Sequence, residues 1–189
     1  MEVKEVKIMS AHYFLGFHAD ITVREKAVQM QHKLQAADYF RHLTGPQDFH
    51  VTLLFLGGWV QGRREKLWTQ LQDKQLPAFS LTFSRYAVFG RSERPRVLFL
   101  RPDPEGALDE IYQTVIREAA RLDFPVPARG YHPHLTLAKK AGKRPFPEPV
   151  YGDMEPVTMP VQKLTLYKVR PESNPRYQAE KTIDLGERR

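Results

Sequence analysis

The sequence predicts an α+β fold built on antiparallel sheets, and three observations carry the prediction. Strand-like and helix-like segments follow one another in mixed order, with runs of consecutive strands rather than a regular strand–helix alternation. Apolar residues recur with period two in some segments and at helical spacing in others. A short pattern, His-x-Thr-Leu, occurs twice, at His50-Val51-Thr52-Leu53 and at His134-Leu135-Thr136-Leu137. Each copy follows a long helix and a loop and runs into a strand. The copies lie about half the chain apart. A duplication of this kind gives two lobes related by an approximate two-fold axis, with one motif strand on each side of a cleft.

The elements follow in order. Tyr13 to Ala19 is an apolar run and reads as a buried strand. Thr22-x-x-Glu25 has the form of a capping box. Behind it Val23, Ala27, Met30 and Leu34 recur at helical spacing, so a helix is expected from about Val23 to Ala36. Arg41 to Asp48 is polar, contains Gly45-Pro46 and reads as a loop. His50 to Leu56 is a strand closed by Gly57-Gly58, and Arg63 to Gln72 is a short helix carrying Leu67 and Leu71. Phe79, Leu81 and Phe83 alternate with Ser80, Thr82 and Ser84, a period-two strand. Arg96 to Leu100 is another, joined to it by a hairpin through Gly90 to Arg94.

Asp103-Pro104 reads as a helix cap with proline in the first turn. Leu108, Ile111, Tyr112, Val115, Ile116, Ala119 and Leu122 then form the most regular amphipathic helix of the chain. Pro125 to Pro133 is a loop leading to the second motif strand. Gly142 to Pro160 is rich in proline and reads as irregular. Val161 to Val169 and Tyr177 to Leu185 complete the order as two strands, paired through a turn at Glu172 to Pro175.

Composition narrows the chemistry. With 189 residues and no cysteine, the chain can bury a core without disulfides. Thiolate nucleophiles and cysteine-ligated zinc are excluded. No apolar run approaches the roughly 20 residues of a membrane span. Met1 to Ser10 alternates charged and apolar residues and lacks the apolar core of a signal peptide. The expectation is a cytoplasmic protein with no membrane partner, acting as a monomer. The net charge of +7 points to a polyanionic partner, with RNA or nucleotides first. Basic residues cluster at Arg91, Arg94, Arg96 and Arg101 and again at Lys139, Lys140, Lys143 and Arg144.

The repeated motif carries the chemistry. Side chains alternate across a strand, so His50 and Thr52 point the same way, as do His134 and Thr136. Brought together, two imidazoles supply a proton acceptor and a proton donor near neutral pH. Two hydroxyls donate hydrogen bonds to an anion between them. This set suits hydrolysis or transfer at a phosphate ester and needs no metal or cofactor. His132 and His134 form His-x-His, but no third metal ligand stands at a supporting spacing. His12, His18, His32 and His42 have no catalytic-type partner nearby in sequence and read as surface or boundary residues. Phe49, Tyr131 and Tyr13 are candidates to stack on a base, with core packing favoured for Phe49 and the cleft rim for Tyr131.

Phe49-His50-Val51-Thr52-Leu53-Leu54-Phe55-Leu56-Gly57 and His132-Pro133-His134-Leu135-Thr136-Leu137-Ala138 resemble the paired signatures of the two-histidine phosphoesterases, closest to the LigT-like branch. That branch comprises RNA 2′,3′-cyclic phosphodiesterases and 2′-5′ RNA ligases. The resemblance implies a bilobal fold across residues 1–189 as one domain, with two antiparallel sheets and outer helices around a central cleft. It implies metal-independent opening of a 2′,3′-cyclic phosphate to a 2′-phosphate, on RNA ends or nucleoside cyclic phosphates. It also implies roles: His134 as base, His50 as acid, and Thr52 and Thr136 on the non-bridging oxygens.

Members of the branch usually carry arginine five residues after the second histidine; here Lys139 stands there, a point charge without the bidentate fork. Strand alternation places residues 134, 136, 138 and 140 on one face, which favours Lys140 as the cleft cation unless the strand bulges. Close alternatives are a 2′-5′ RNA ligase, a 2′-5′ oligonucleotide phosphodiesterase and an ADP-ribose cyclic phosphate hydrolase. A non-catalytic nucleotide- or RNA-binding module is the alternative from another class.

Overall fold

A computed structural model describes residues 11–147 and 149–186. The reading of Met1 to Ser10 as lacking a signal core lies outside these residues. Four α-helices are described, α1 (Ile21–Lys33), α2 (Ala36–Tyr39), α3 (Gln61–Gln72) and α4 (Gly106–Ala120), with a 3-10 turn at Pro46–Asp48. The strands are β1 (Tyr13–His18), β2 (Phe40–Leu43), β3 (His50–Gly57), β4 (Phe79–Arg91), β5 (Arg94–Pro102), β6 (Leu135–Ala141), β7 (Gly152–Val161), β8 (Lys163–Val169) and β9 (Tyr177–Asp184).

The strands hydrogen-bond in the order β7-β4-β5-β6-β3-β1-β8-β9, with β2 also on β6, and the paired strands run antiparallel. The path is one nine-stranded sheet, and the two expected sheets correspond to its two halves. A single residue pair, Val51 with Leu135, joins them between β3 and β6. The order is symmetric about that junction. Strand–helix–motif-strand units, β1-α1-β3 and β5-α4-β6, meet through their motif strands, and β8 and β4 lie outside β1 and β5. The helices cross over: α1 packs on β6 and β7 of the other half, and α4 packs on β3 and α3. Phe17, Phe49, Phe83, Leu53, Leu98, Leu100 and Ile111 are among the fully buried residues. Each such side chain contributes roughly 1.5–3 kcal/mol by leaving water.

Several local expectations are corrected. The α1 cap is Asp20, whose Oδ1 accepts from the Val23 N–H at 2.9 Å, so the helix starts ahead of the expected Thr22 capping box. It ends at Lys33 because Gln35 adopts a left-handed conformation, with φ of 48°. The α4 cap is Glu105, which accepts from the Ala107 N–H, while Asp103 accepts from the Ser84 hydroxyl instead. The loop read from Arg41 contains β2, which fills the rest of the β6 edge. The proline-rich stretch read as irregular contains β7. This strand pairs with β4 on one side only, so Pro156 and Pro160 sit on a sheet edge, where a missing N–H is tolerated.

Gly16 marks a close approach. A Cβ at this position would lie 2.6 Å from the Val51 carbonyl oxygen, so glycine lets β1 run tightly against the first motif strand.

Candidate active site

The junction pair organises the site. Val51 and Leu135 face the core with no measurable exposure. By alternation, His50 and Thr52 on β3 and His134 and Thr136 beside Leu135 take the opposite face. In an antiparallel pair, residues flanking a matched couple face each other crosswise. His50 therefore falls beside Thr136, and Thr52 beside His134. One junction gathers the four predicted side chains. The structure starts β6 at Leu135, so His134 sits just ahead of its strand rather than on it.

Both imidazoles are anchored alike. His50 Nδ1 lies 2.7 Å from the Asp48 carbonyl, and His134 Nδ1 lies 2.8 Å from the His132 carbonyl. A carbonyl only accepts, so Nδ1 carries the hydrogen in each ring and Nε2 is left as the basic atom of the neutral form. His50 Nε2 lies 3.1 Å from the Thr52 hydroxyl, which donates to it. Each ring is also backed by aromatics from the next two strands outward. Phe14 of β1 and Tyr167 of β8 stack at 4.9 Å, with Phe14 4.7 Å from His50. Phe99 of β5 and Phe89 of β4 stack at 4.1 Å, at 5.5 and 5.1 Å from His134. Tyr177 adds an edge contact to His50 at 4.6 Å.

This setting disfavours positive charge. Burial pushes the His50 pKa down to about 4, against the raising effect of the Asp48 carbonyl; positive charge on His134, His18 or Lys139 lowers it further. His134 is lowered as well, first by burial, with its bond to the His132 carbonyl opposing. Both rings are thus biased toward the neutral form, and positive charge on His134 makes His50 more acidic.

The choice between the two lysines is decided by backbone geometry. Phe99 pairs with Thr136, but its neighbour Leu98 pairs with Ala138, which leaves Leu137 as an extra residue in β6. This bulge resets the alternation. Lys139, opposite Val97, returns to the face of Thr136, and Lys140, with φ of 63°, turns out to solvent. Alternation alone favours Lys140, and the bulge is the exception that puts Lys139 on the Thr136 face instead. The displaced Leu137 carbonyl accepts from the Thr44 N–H at 2.9 Å and from the Gln31 side chain at 2.8 Å. Gln31, buried on α1, also donates to the Thr44 carbonyl. Lys139 lines a hollow of about 260 Å³ with Asp48, Ser173, Arg176 and Tyr177. Burial and the charges of Arg176 and Lys140 lower its pKa.

Tyr131 is not a free stacking platform. Its ring lies flat on Tyr112 at 4.1 Å and its hydroxyl donates to the Thr52 carbonyl, so it braces the first motif from the second half of the chain. Phe49 is core. Tyr13 stacks under the Arg64 guanidinium at the far end of β1. His132 contributes its backbone, and its side chain is exposed. His18 is directly opposite His50 in the β1–β3 ladder, and His42 is opposite Lys139. Sequence reading missed Asp48, whose carbonyl anchors His50 while its carboxylate accepts from the N–H groups of Arg176 and Tyr177. It also missed the aromatic supports. Nothing local marks them, because strand pairing alone brings them to the histidines.

Against this geometry stand the comparisons with known proteins. A family model described as the 2'-5' RNA ligase superfamily matches residues 22–171. The RNA 2',3'-cyclic phosphodiesterase of Bacillus subtilis is 31% identical over 170 residues, covering 88% of this chain and 92% of that protein. The enzyme of the same name from Geobacillus stearothermophilus is 28% identical over 174 residues, 89% of this chain but 55% of its own length. The crystal structure of E. coli LigT complexed with 3'-AMP superposes with a TM-score of 0.76 at 23% identity, covering 93% of this chain and 98% of that one. That likeness is one of fold.

Proposed function

The chain belongs to the 2'-5' RNA ligase superfamily, and from that premise we propose that it is an RNA 2′,3′-cyclic phosphodiesterase acting on RNA ends in the cytoplasm. The observation that carries the reading is the matched anchoring of the two motif histidines. Each Nδ1–H is spent on a carbonyl two residues upstream, so each Nε2 is available for proton transfer. Relatives bearing this activity in their names match most of the chain.

In the proposed reaction a water oxygen bonds to phosphorus as His134 Nε2 takes its proton. The bond from phosphorus to the ribose 3′ oxygen breaks, and that oxygen takes the proton carried by His50 Nε2. The products are a 2′-phosphate and a 3′-hydroxyl. Exchange with solvent returns His134 to neutral, and His50 takes up its proton again as the next phosphate anion enters. The low pKa of His50 suits an acid that gives up its proton readily, and the entering phosphate anion supplies the charge that favours loading it. Thr52, Thr136 and Lys139 hold the non-bridging oxygens as negative charge grows there. Both histidines come from one chain, so the catalytic unit proposed is a monomer. Residues 1–189 would act as one bilobal unit.

Two titrating groups facing one junction also favour turnover over a pure binding module, since recognition alone requires no proton donor. The test is incubation with the four nucleoside 2′,3′-cyclic phosphates and a cyclic-phosphate-ended oligonucleotide, resolving 2′ from 3′ products, with and without EDTA. A 2′-phosphate product unaffected by EDTA is expected. Formation of a 2′-5′ linkage as the main outcome would assign the chain to ligation instead.

A further inference from the structure

Beside the site, on the far side of Lys139, runs a groove of about 940 Å³. Its lining brings together members of the two basic clusters noted in the sequence. Arg91, Arg94 and Arg96 come from the β4–β5 hairpin, Arg41 from β2, and Lys140 from the end of β6. Lys139 lines both this groove and the hollow next to the first motif, so the two adjoin at this side chain. Glu93 is the one acidic residue in the lining. Among the described residues, none of Arg41, Arg91, Arg94, Arg96 and Lys140 is in an ion pair. Elsewhere the protein does neutralise its cations: Arg144, from the same basic run, pairs with Asp38 at 3.1 Å. Five exposed, uncompensated cations crowded into one concavity repel one another and are retained at a cost in stability. Polyanion binding is the function that such a groove serves.

Resting on the proposed hydrolysis, we infer that this groove holds the phosphodiester backbone of the RNA strand behind the reacting end, and that the protein acts on polynucleotides in preference to mononucleotides. The path follows from the lining. A terminal cyclic phosphate seated between the histidines has Lys139 as its neighbour, and the strand leading away from it meets Lys140, Arg41 and then the hairpin arginines. The described lining has no aromatic ring to stack on a base. The groove therefore reads charge along the backbone and not base identity.

The experiment compares wild type with the double variant Arg91→Gln/Arg94→Gln. Both side chains are exposed, and neither has a role in the proposed chemistry. Two substrates are used: a nucleoside 2′,3′-cyclic phosphate and an oligoribonucleotide ending in one. The expected result is a rise in KM for the oligonucleotide of about tenfold, with kcat on both substrates and KM for the mononucleotide unchanged. Fluorescence anisotropy with a 3′-hydroxyl oligoribonucleotide, which cannot turn over, supplies an independent arm. There the slope of log affinity against log salt should fall by about 0.7 for each phosphate contact removed. An unchanged oligonucleotide KM and salt slope, or an equal loss on both substrates, would overturn the inference. So would poly-glutamate competing as well as RNA, which would assign the groove to an acidic protein. If wild type turned over neither substrate, the hydrolytic reading would fall, and the anisotropy arm would still decide the groove.

Discussion

At the scale of single residues, the site is governed by what each imidazole gives up to be held in place. His50 exchanges water for Phe14, Tyr177 and the Asp48 carbonyl, and its pKa falls to about 4. In the unfolded chain the same group titrates near 6.5. Between those values the unfolded chain binds more protons than the native one, so stability rises with pH across the window. The contribution of His50 is complete above pH 6.5 and is lost progressively as pH falls toward 4. Denaturant unfolding at pH 7 and pH 4.5 should show a smaller pH dependence in His50→Gln than in wild type. An identical dependence would mean that the ring is not held neutral by its surroundings. The two histidines and two threonines are legible in the sequence because each pair is two residues apart on a strand, and strand geometry alone puts both members on one face. Asp48 is not legible. Its role comes from a carbonyl that any residue possesses and from a carboxylate that reaches a loop more than 120 residues away.

At the scale of elements, the bulge in β6 does the deciding. One extra residue, Leu137, determines which of two adjacent lysines shares the face of Thr136. The bulge is held from two other segments: Gln31 of α1 donates to both the Leu137 and Thr44 carbonyls, and the Thr44 N–H donates to the Leu137 carbonyl. A bulge held by distant groups leaves no local signature, which is why alternation alone points to Lys140. Replacing Gln31 with Met keeps the volume and removes both hydrogen bonds; the Leu137 carbonyl keeps the Thr44 N–H, while the part-buried Thr44 carbonyl loses its side-chain donor, at a cost of roughly 1 kcal/mol. Substrate KM and the inhibition constant of inorganic phosphate should rise several-fold in Gln31→Met, with kcat changed less. Loss of stability with an unchanged phosphate affinity would confine Gln31 to a packing role. The β1–β3 ladder makes a second demand. In Gly16→Ala the new methyl group meets the Val51 carbonyl, which must shift beside His50. Both melting temperature and activity should fall, whereas an active variant of wild-type stability would show that the strands can spread without consequence.

At the scale of the whole molecule, the pseudo-symmetry explains why a repeat half the chain apart becomes one site. The motif strands are the innermost of each half, so the single pair Val51–Leu135 sets the four motif side chains together. Matching strands even supply matching supports, Phe14 with Tyr167 on one side and Phe99 with Phe89 on the other. The α+β class, the antiparallel pairing and the two-fold echo are readable from the sequence through hydrophobic period and the motif repeat. The β7 edge strand is not, because its prolines mimic a loop until the sheet shows that one of its edges is free. Helix crossover escapes the sequence for a related reason. An amphipathic pattern states that α1 is buried on one side, but not that its partners are β6 and β7.

Whether the two histidines act on one phosphorus is read from turnover of a nucleoside 2′,3′-cyclic phosphate by wild type, His50→Ala, His134→Ala and the double variant. Each single variant should lose at least about a hundredfold in kcat/KM, the usual scale for acid–base catalysis. The double variant should be little worse than either, as expected for groups that act as a unit. Full activity in either single variant would contradict the account.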